Sequence, residues 1–132
     1  MPVASAATLT PASGSGMSTS FVPTVVQSVG GVTTLSVAST ASFTGTFTGA
    51  SVAQATCVVR ASGQGTCQGP EKFTGTVAGH AGTVDFFDVY TINGDAVQGR
   101  AVITGGTAAL GGDVSFQGAG PIFTYAGRVL LP

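Results

Sequence analysis

Between residues 73 and 131 apolar side chains alternate with small polar ones and the alternation breaks repeatedly at glycine, the period-2 signature of half-buried antiparallel strands joined by tight turns. No stretch repeats with a convincing helical period. The pattern predicts eight strands, over residues 18–27, 32–47, 51–60, 65–68 leading into 72–77, 83–92, 96–104, 113–118 and 122–131. Turns are expected at Gly30-Gly31, Gly49, Ser62-Gly63, Gly69-Pro70, residues 79–82, Asn93-Gly94-Asp95, Gly105-Gly106 and Gly120-Pro121. Asn93-Gly94 is the strongest of these signals, because that dipeptide suits a type I′ hairpin turn. Eight short antiparallel strands can close into a barrel, which removes edges that would otherwise invite aggregation; a β-sandwich is the alternative. A repeated motif, Phe43-Thr-Gly-Thr-Phe47 and Phe73-Thr-Gly-Thr-Val77, is read as two strands in which a central glycine lets the sheet coil.

The ordered domain is expected to span residues 17–132, after a flexible leader over 1–16. Val3-Ala4-Ser5-Ala6-Ala7 contains the Ala-x-Ala pattern that ends a secretory signal, without a basic segment or full apolar core before it. It is read either as a trimmed signal or as a chance match in an Ala/Ser-rich tail.

Cys57 and Cys67 are equidistant from Ser62, so a three-residue loop at Ala61-Ser62-Gly63 would place them opposite each other. A disulfide is expected, with two buried free thiols as the alternative. With the Ala-x-Ala pattern, this points to a secreted or cell-surface setting.

Charge changes the picture by what it excludes. Only 7% of residues are Asp, Glu, Lys or Arg and the formal net charge is −1, so there is no basic field for nucleic acid. No run approaches the ~20 apolar residues of a transmembrane helix. His80 lacks a companion at metal-ligand spacing, so no metal and no cofactor are expected, and His80 is read as a turn residue. Glu71-Lys72, beside Pro70, is read as a solvated turn pair. The low charge leaves a surface of Thr, Ser, Gln and Gly that a homo-oligomer could cover.

The segments Phe73-Thr-Gly-Thr-Val-Ala-Gly-His-Ala-Gly-Thr-Val84, Ile103-Thr-Gly-Gly-Thr-Ala-Ala-Leu110, Phe116-Gln-Gly118 and Tyr125-Ala-Gly127 resemble the allene oxide cyclase barrel superfamily, which includes the dirigent proteins. The resemblance implies an eight-stranded barrel whose apolar lumen binds a small reactive molecule and steers its cyclisation or coupling, often in an oligomer. It supplies no catalytic residues. Those are sought on the face Val84, Phe86, Asp88, Tyr90, Ile92, where Asp88 would be a carboxyl in an apolar pocket, with a raised pKa suited to acid or base work. The competing reading places Asp88 at a solvated barrel end or beside an arginine. Asp88 and Tyr90 are the catalytic candidates, and Phe73, Phe86 and Tyr125 the ligand-binding walls, Tyr125 alternatively being a core residue. Arg100 and Arg128, at the opposite parity in their strands, are expected to face outward. The expected function is a lumen that binds a small apolar molecule, acting as a cofactor-independent cyclase or isomerase; the alternative is a secreted structural or self-associating protein without catalysis.

Overall fold

The structure is a computed structural model that describes residues 7–132. It is all-β. Eight strands follow in order: β1 (Thr8–Val29), β2 (Val32–Gly45), β3 (Phe47–Arg60), β4 (Gln64–Val77), β5 (His80–Asn93), β6 (Ala96–Gly106), β7 (Gly111–Ala119) and β8 (Ile122–Leu131). Each pairs antiparallel with the next, and β8 returns to pair with β1, so the strands form a ring. The pairing of β8 joins what a sandwich would leave as two edges. No helix among the described residues is long and apolar enough to cross a membrane.

The leader expected over 1–16 is corrected from Thr8 onward. Residues 8–17 pair with 122–131 of β8, and from Gly14 the same strand also pairs with β2. Its Thr, Ser and Gly content looks like a linker, yet Ala12 is buried and Gly14 and Gly16 leave room for the rings of Tyr125 and Phe123, which a Cβ would strike. Residues 1–6, which hold most of the Ala-x-Ala stretch, lie outside the described residues.

Three turn expectations are revised. Gly49 lies inside β3, and the β2–β3 reversal is centred on Thr46, since Phe43 pairs with Gly49. The first Phe-Thr-Gly-Thr motif therefore makes a corner, whereas the second lies within β4. Gly69-Pro70 is not a turn at all: β4 runs through it, and Pro70 is tolerated as an exposed position of that strand. The β5–β6 hairpin is where it was expected, but its loop is Gly94-Asp95, with only Gly94 at positive φ (62°), the Gly-first pattern of type II′ rather than I′. His80 follows the Ala78-Gly79 turn as the exposed first residue of β5.

The ring interior divides into two parts. Around Phe47 and Phe73 it is solidly packed, with Val77, Val84, Ile103 and Val129 almost fully buried. Phe43, Phe47, Phe73 and Tyr125 meet there with ring centroids 5.4–6.4 Å apart, mostly edge-on or tilted. A smaller cluster, Val37, Ala55, Cys57 and Cys67 with Leu35, Val59, Tyr90 and Ile92 against it, lines the other part. Cys57 and Cys67 are paired in register and joined by a disulfide across the Ala61-Ser62-Gly63 loop. A disulfide suits an oxidising, extracytoplasmic compartment.

Ring closure is partial along β1. Beyond Met17 the strand keeps β2 on one side while β8 has ended, the last link being the Ser18 amide to the Pro121 carbonyl. Residues 19–29 therefore form a free edge beside the mouth of the interior. Two register shifts, between Ser18 and Ser20 and between Val25 and Gln27, and Pro23 interrupt this edge, features that oppose continuous pairing by a further strand.

Candidate ligand cavity and its carboxyl pair

A cavity of about 780 Å3 opens at the less packed part of the interior. Its walls include Val37, Ala55, Phe86, Tyr90, Ile92 and Phe116, and its floor meets the packed aromatic cluster at Phe43, Phe47 and Tyr125. The volume falls within the range typical of small-molecule sites. A second depression, on the outer faces of β5 to β8 around Thr91, Gln98, Arg100 and Gln117, is larger at about 880 Å3. The Arg100–Asp113 ion pair beside it, at 3.2 Å, is well exposed. Arg100 and Arg128 are both exposed.

The strand parity of β5 holds. Val84, Phe86 and Asp88 are buried and Tyr90 and Ile92 half-buried on the inner face, while Asp85, Phe87 and Val89 are exposed. Asp88 is only 7% exposed and lines the cavity, and no arginine accompanies it. Its neighbour is instead Glu71. The two come from paired strands, with Gly69 opposite Asp88 and Glu71 opposite Phe86, so Glu71 reaches Asp88 diagonally across the space that Gly69 leaves empty. A side chain at position 69 would collide with the Gln54 carbonyl of β3, which keeps that space free.

Burial, first, and then the Glu71 charge and a hydrogen bond with the Glu71 carboxyl push Asp88 up to about 10, so it holds a proton at neutral pH. Oδ1 of Asp88 is buried without any hydrogen-bond partner among the described residues. Glu71 also accepts a hydrogen bond from the hydroxyl of Ser51, itself buried on the inner face of β3. Next along β5, Tyr90 packs its ring on Phe116 at 5.8 Å. Burial and the two nearby carboxyls push its phenol up to about 12, so it too stays protonated. The site thus brings Asp88 and Tyr90 of β5, Glu71 of β4 and the Ser51 hydroxyl of β3 together on three adjacent strands.

The expected wall residues separate. Phe86 lines the cavity, whereas Phe73 is wholly buried in the aromatic cluster and does not. Tyr125 borders the cavity floor, but its hydroxyl is engaged: it donates to the Thr44 carbonyl at 2.8 Å and accepts from the Phe47 amide at 2.9 Å. Those bonds serve the β2–β3 corner, where the two strands leave these backbone groups to Tyr125.

Glu71 and Ser51 are absent from the sequence-based candidates. The solvated-turn reading of Glu71-Lys72 is corrected, since both lie within β4, where Glu71 faces inward and Lys72 is exposed. The signal was available in parity: Cys67, Gly69, Glu71 and Phe73 fall on one face of an unbroken strand, and Pro70 masked it. Among the described residues no group of three or more His, Cys, Asp or Glu is placed to hold a metal.

No curated protein matches the chain. Among solved structures, a protein of unknown function from Shewanella oneidensis MR-1 superposes with a TM-score of 0.75 at 17% identity, covering 95% of this chain and 99% of its own. That likeness is one of fold. Nothing in these comparisons connects the chain to the allene oxide cyclases. A family profile matches residues 12–123, most of the ring, and the chain belongs to that family: DUF3224, proteins of unknown function.

Proposed function

We propose that the protein binds a small, largely apolar molecule in this cavity and exchanges protons with it through Asp88 and Glu71, as a cofactor-independent isomerase or cyclase would. The observation that carries the reading is a buried carboxyl with an unpartnered oxygen, lining a largely apolar cavity open to solvent. In this reading Asp88 donates its proton to an oxygen or nitrogen of the ligand while Glu71 accepts one from another ligand atom. One proton leaves the pair and one returns, so no co-reactant is required. The apolar walls would contribute by holding a flexible molecule in a reactive conformation. The eight-stranded ring and its glycine-rich segments, similar to those of the allene oxide cyclase barrels, support the same reading, and the disulfide supports secretion.

Two measurements test it. The neutral dye phenylnaphthylamine should brighten in the presence of the protein, and Ala55→Phe, which fills the cavity from β3, should abolish the effect. Unchanged brightening in a folded variant would locate apolar binding elsewhere. Proton exchange is read by deuterium incorporation next to the carbonyl of a bound ketone such as phenylbutanone: wild type should accelerate it, and Asp88→Asn should bind the ketone without accelerating exchange.

A second reading, self-association, is favoured by the exposed apolar side chains of β1 beyond Met17. Phe21, Val22, Val25, Val26 and Val29 are each about 60% exposed there, and no charged residue or histidine precedes Arg60 to repel another copy. Val22→Lys should then shift any oligomer seen by native mass spectrometry to monomer. A wild-type chain that is monomeric at high concentration would remove this reading.

A further inference from the structure

The ionisable groups that line the cavity are all acids. Glu71, Asp88 and, at the rim, Asp95 line it, and none of Lys, Arg or His does so among the described residues. All four basic side chains, Arg60, Lys72, Arg100 and Arg128, are exposed on the outer surface, as is His80. Buried carboxylates are ordinarily paired with a cation, because removal from water costs several kcal/mol that only an opposite charge or several hydrogen bonds offset. Here the pair has one hydroxyl, Ser51, on Glu71 and nothing on Asp88 Oδ1. The missing partner has room to arrive from the cavity.

We infer that the cavity takes an apolar molecule whose polar head is a basic amine, bound as an ammonium between Glu71 and Asp88. The inference rests on the cavity as a ligand site, not on its catalysis. An ammonium is a compact donor with three hydrogens, enough to reach Oδ1 of Asp88 and the Glu71 carboxylate together. The ring of Tyr90, beside Asp88 on the same face of β5, adds an aromatic surface that attracts cations. A fatty acid or other anion meets only like charge, and a neutral alcohol leaves the carboxylate uncompensated. A neutral amine can enter and take the Asp88 proton, leaving the net charge of the site plus ligand unchanged. An amine arriving as ammonium displaces that proton to solvent.

This gives a pH signature. The titratable side chains facing the carboxyl pair are Tyr90 on β5 and Tyr125 on β8, with Asp95 at the mouth; β1, β2, β3, β6 and β7 present none that titrates to the cavity, their cysteine being in the disulfide. Ammonium binding should therefore strengthen as the pair yields its proton, from about pH 7 toward about pH 9, until the amine itself loses charge.

The experiment is calorimetric titration of the full chain with three probes on one skeleton: phenylbutylamine, phenylbutanol and phenylbutyrate. The amine is expected to bind at least about 10-fold more tightly than the alcohol, with the carboxylate weakest. In the E71Q/D88N double variant that preference should fall to within about 3-fold while alcohol affinity is kept. An alcohol that binds as tightly as the amine, or a carboxylate that binds best, overturns the inference and leaves the apolar cavity standing. Failure of all three to bind overturns both. Should the double variant not fold, the wild-type series decides alone: an amine-to-alcohol affinity ratio that stays flat between about pH 7 and about pH 9 overturns the inference.

Discussion

Asp88→Asn should stabilise the protein above neutral pH and flatten its stability profile, because the wild-type carboxyl must keep a proton that an amide does not need. In the unfolded chain Asp88 titrates near 3.8, and in the native state it is pushed up to about 10. Between these values the folded state holds more protons than the unfolded one. The stability that comes from burying the neutral acid is thus fully present below about pH 4 and lost as pH rises toward about 10. Each pH unit in that window removes about 1.4 kcal/mol, or nearly 3 kcal/mol between about pH 6 and about pH 8, a large fraction of a typical domain's stability. The slope depends only on the window being spanned, not on where the upper limit lies. The amide of the variant can donate to Glu71 as the protonated acid does, so the native hydrogen bond is kept while the proton linkage is removed. Urea unfolding with the disulfide intact, for wild type and Asp88→Asn at several pH values across this range, measures the difference directly, since titration of the remaining groups is common to both. The two curves should diverge by about 1.4 kcal/mol per pH unit, with the variant gaining. Parallel curves would refute the reasoning, for Asp88 would then be ionised in the folded protein and the proton-donor reading of the site would go with it.

Two further perturbations probe the scaffold around the site. Tyr125→Phe removes the hydroxyl that bonds the Thr44 carbonyl and the Phe47 amide, and should cost on the order of 1–3 kcal/mol in denaturant unfolding, with the cavity probes still bound. Reduction of Cys57–Cys67, or the double alanine variant, releases a loop of sequence separation 10 and should cost about 2.7 kcal/mol on the chain-entropy estimate, seen as a lower midpoint in the same assay. An Arg100→Ala change, by contrast, breaks only an exposed pair with Asp113 and should alter stability by less than about 1 kcal/mol, an effect that added salt reduces in wild type.

The strands were legible because alternation survives in this chain almost without interruption, and the face assigned to Asp88 and Tyr90 is the face that turns inward. What sequence could not supply was the meaning of particular breakers. Gly69-Pro70 reads as a turn locally, but β3 and β5 flank the segment and hold it extended; the glycine is there because the Gln54 carbonyl leaves no room for a side chain. With the strand cut at that point, Glu71 lost its inward parity and the second carboxyl of the site disappeared from view. The Thr/Ser/Gly segment at 8–16 failed in the same way. Its composition suits a linker, whereas its placement depends on β8, more than a hundred residues later in the chain, and on the small residues that let two aromatic rings lie against it. Local propensity is weak in both places and the tertiary neighbours decide.

The carboxyl pair is also the place where the chain departs furthest from what its fold needs. Apart from Ser51 and the Cys57–Cys67 disulfide, the other buried side chains of the interior are Val, Phe, Ala, Ile, Leu and Tyr, and the Tyr125 hydroxyl bonds both backbone groups of its corner. Two apolar side chains at positions 71 and 88 would fit that scheme, and replacement of buried ionisable groups by well-packed apolar ones is often neutral or stabilising. An acid that loses about 1.4 kcal/mol of native stability for each pH unit through the neutral range, with Oδ1 unpartnered, contributes nothing to the ring that leucine could not. The same group lies against an open cavity without a single basic residue in its walls. Local inconsistency of this kind concentrates where a protein meets a ligand, because a group satisfied within the fold has nothing left to offer one. The stability cost and the binding capacity of Asp88 are therefore two consequences of one missing partner, and a ligand that supplies it should recover in binding what the fold gives up.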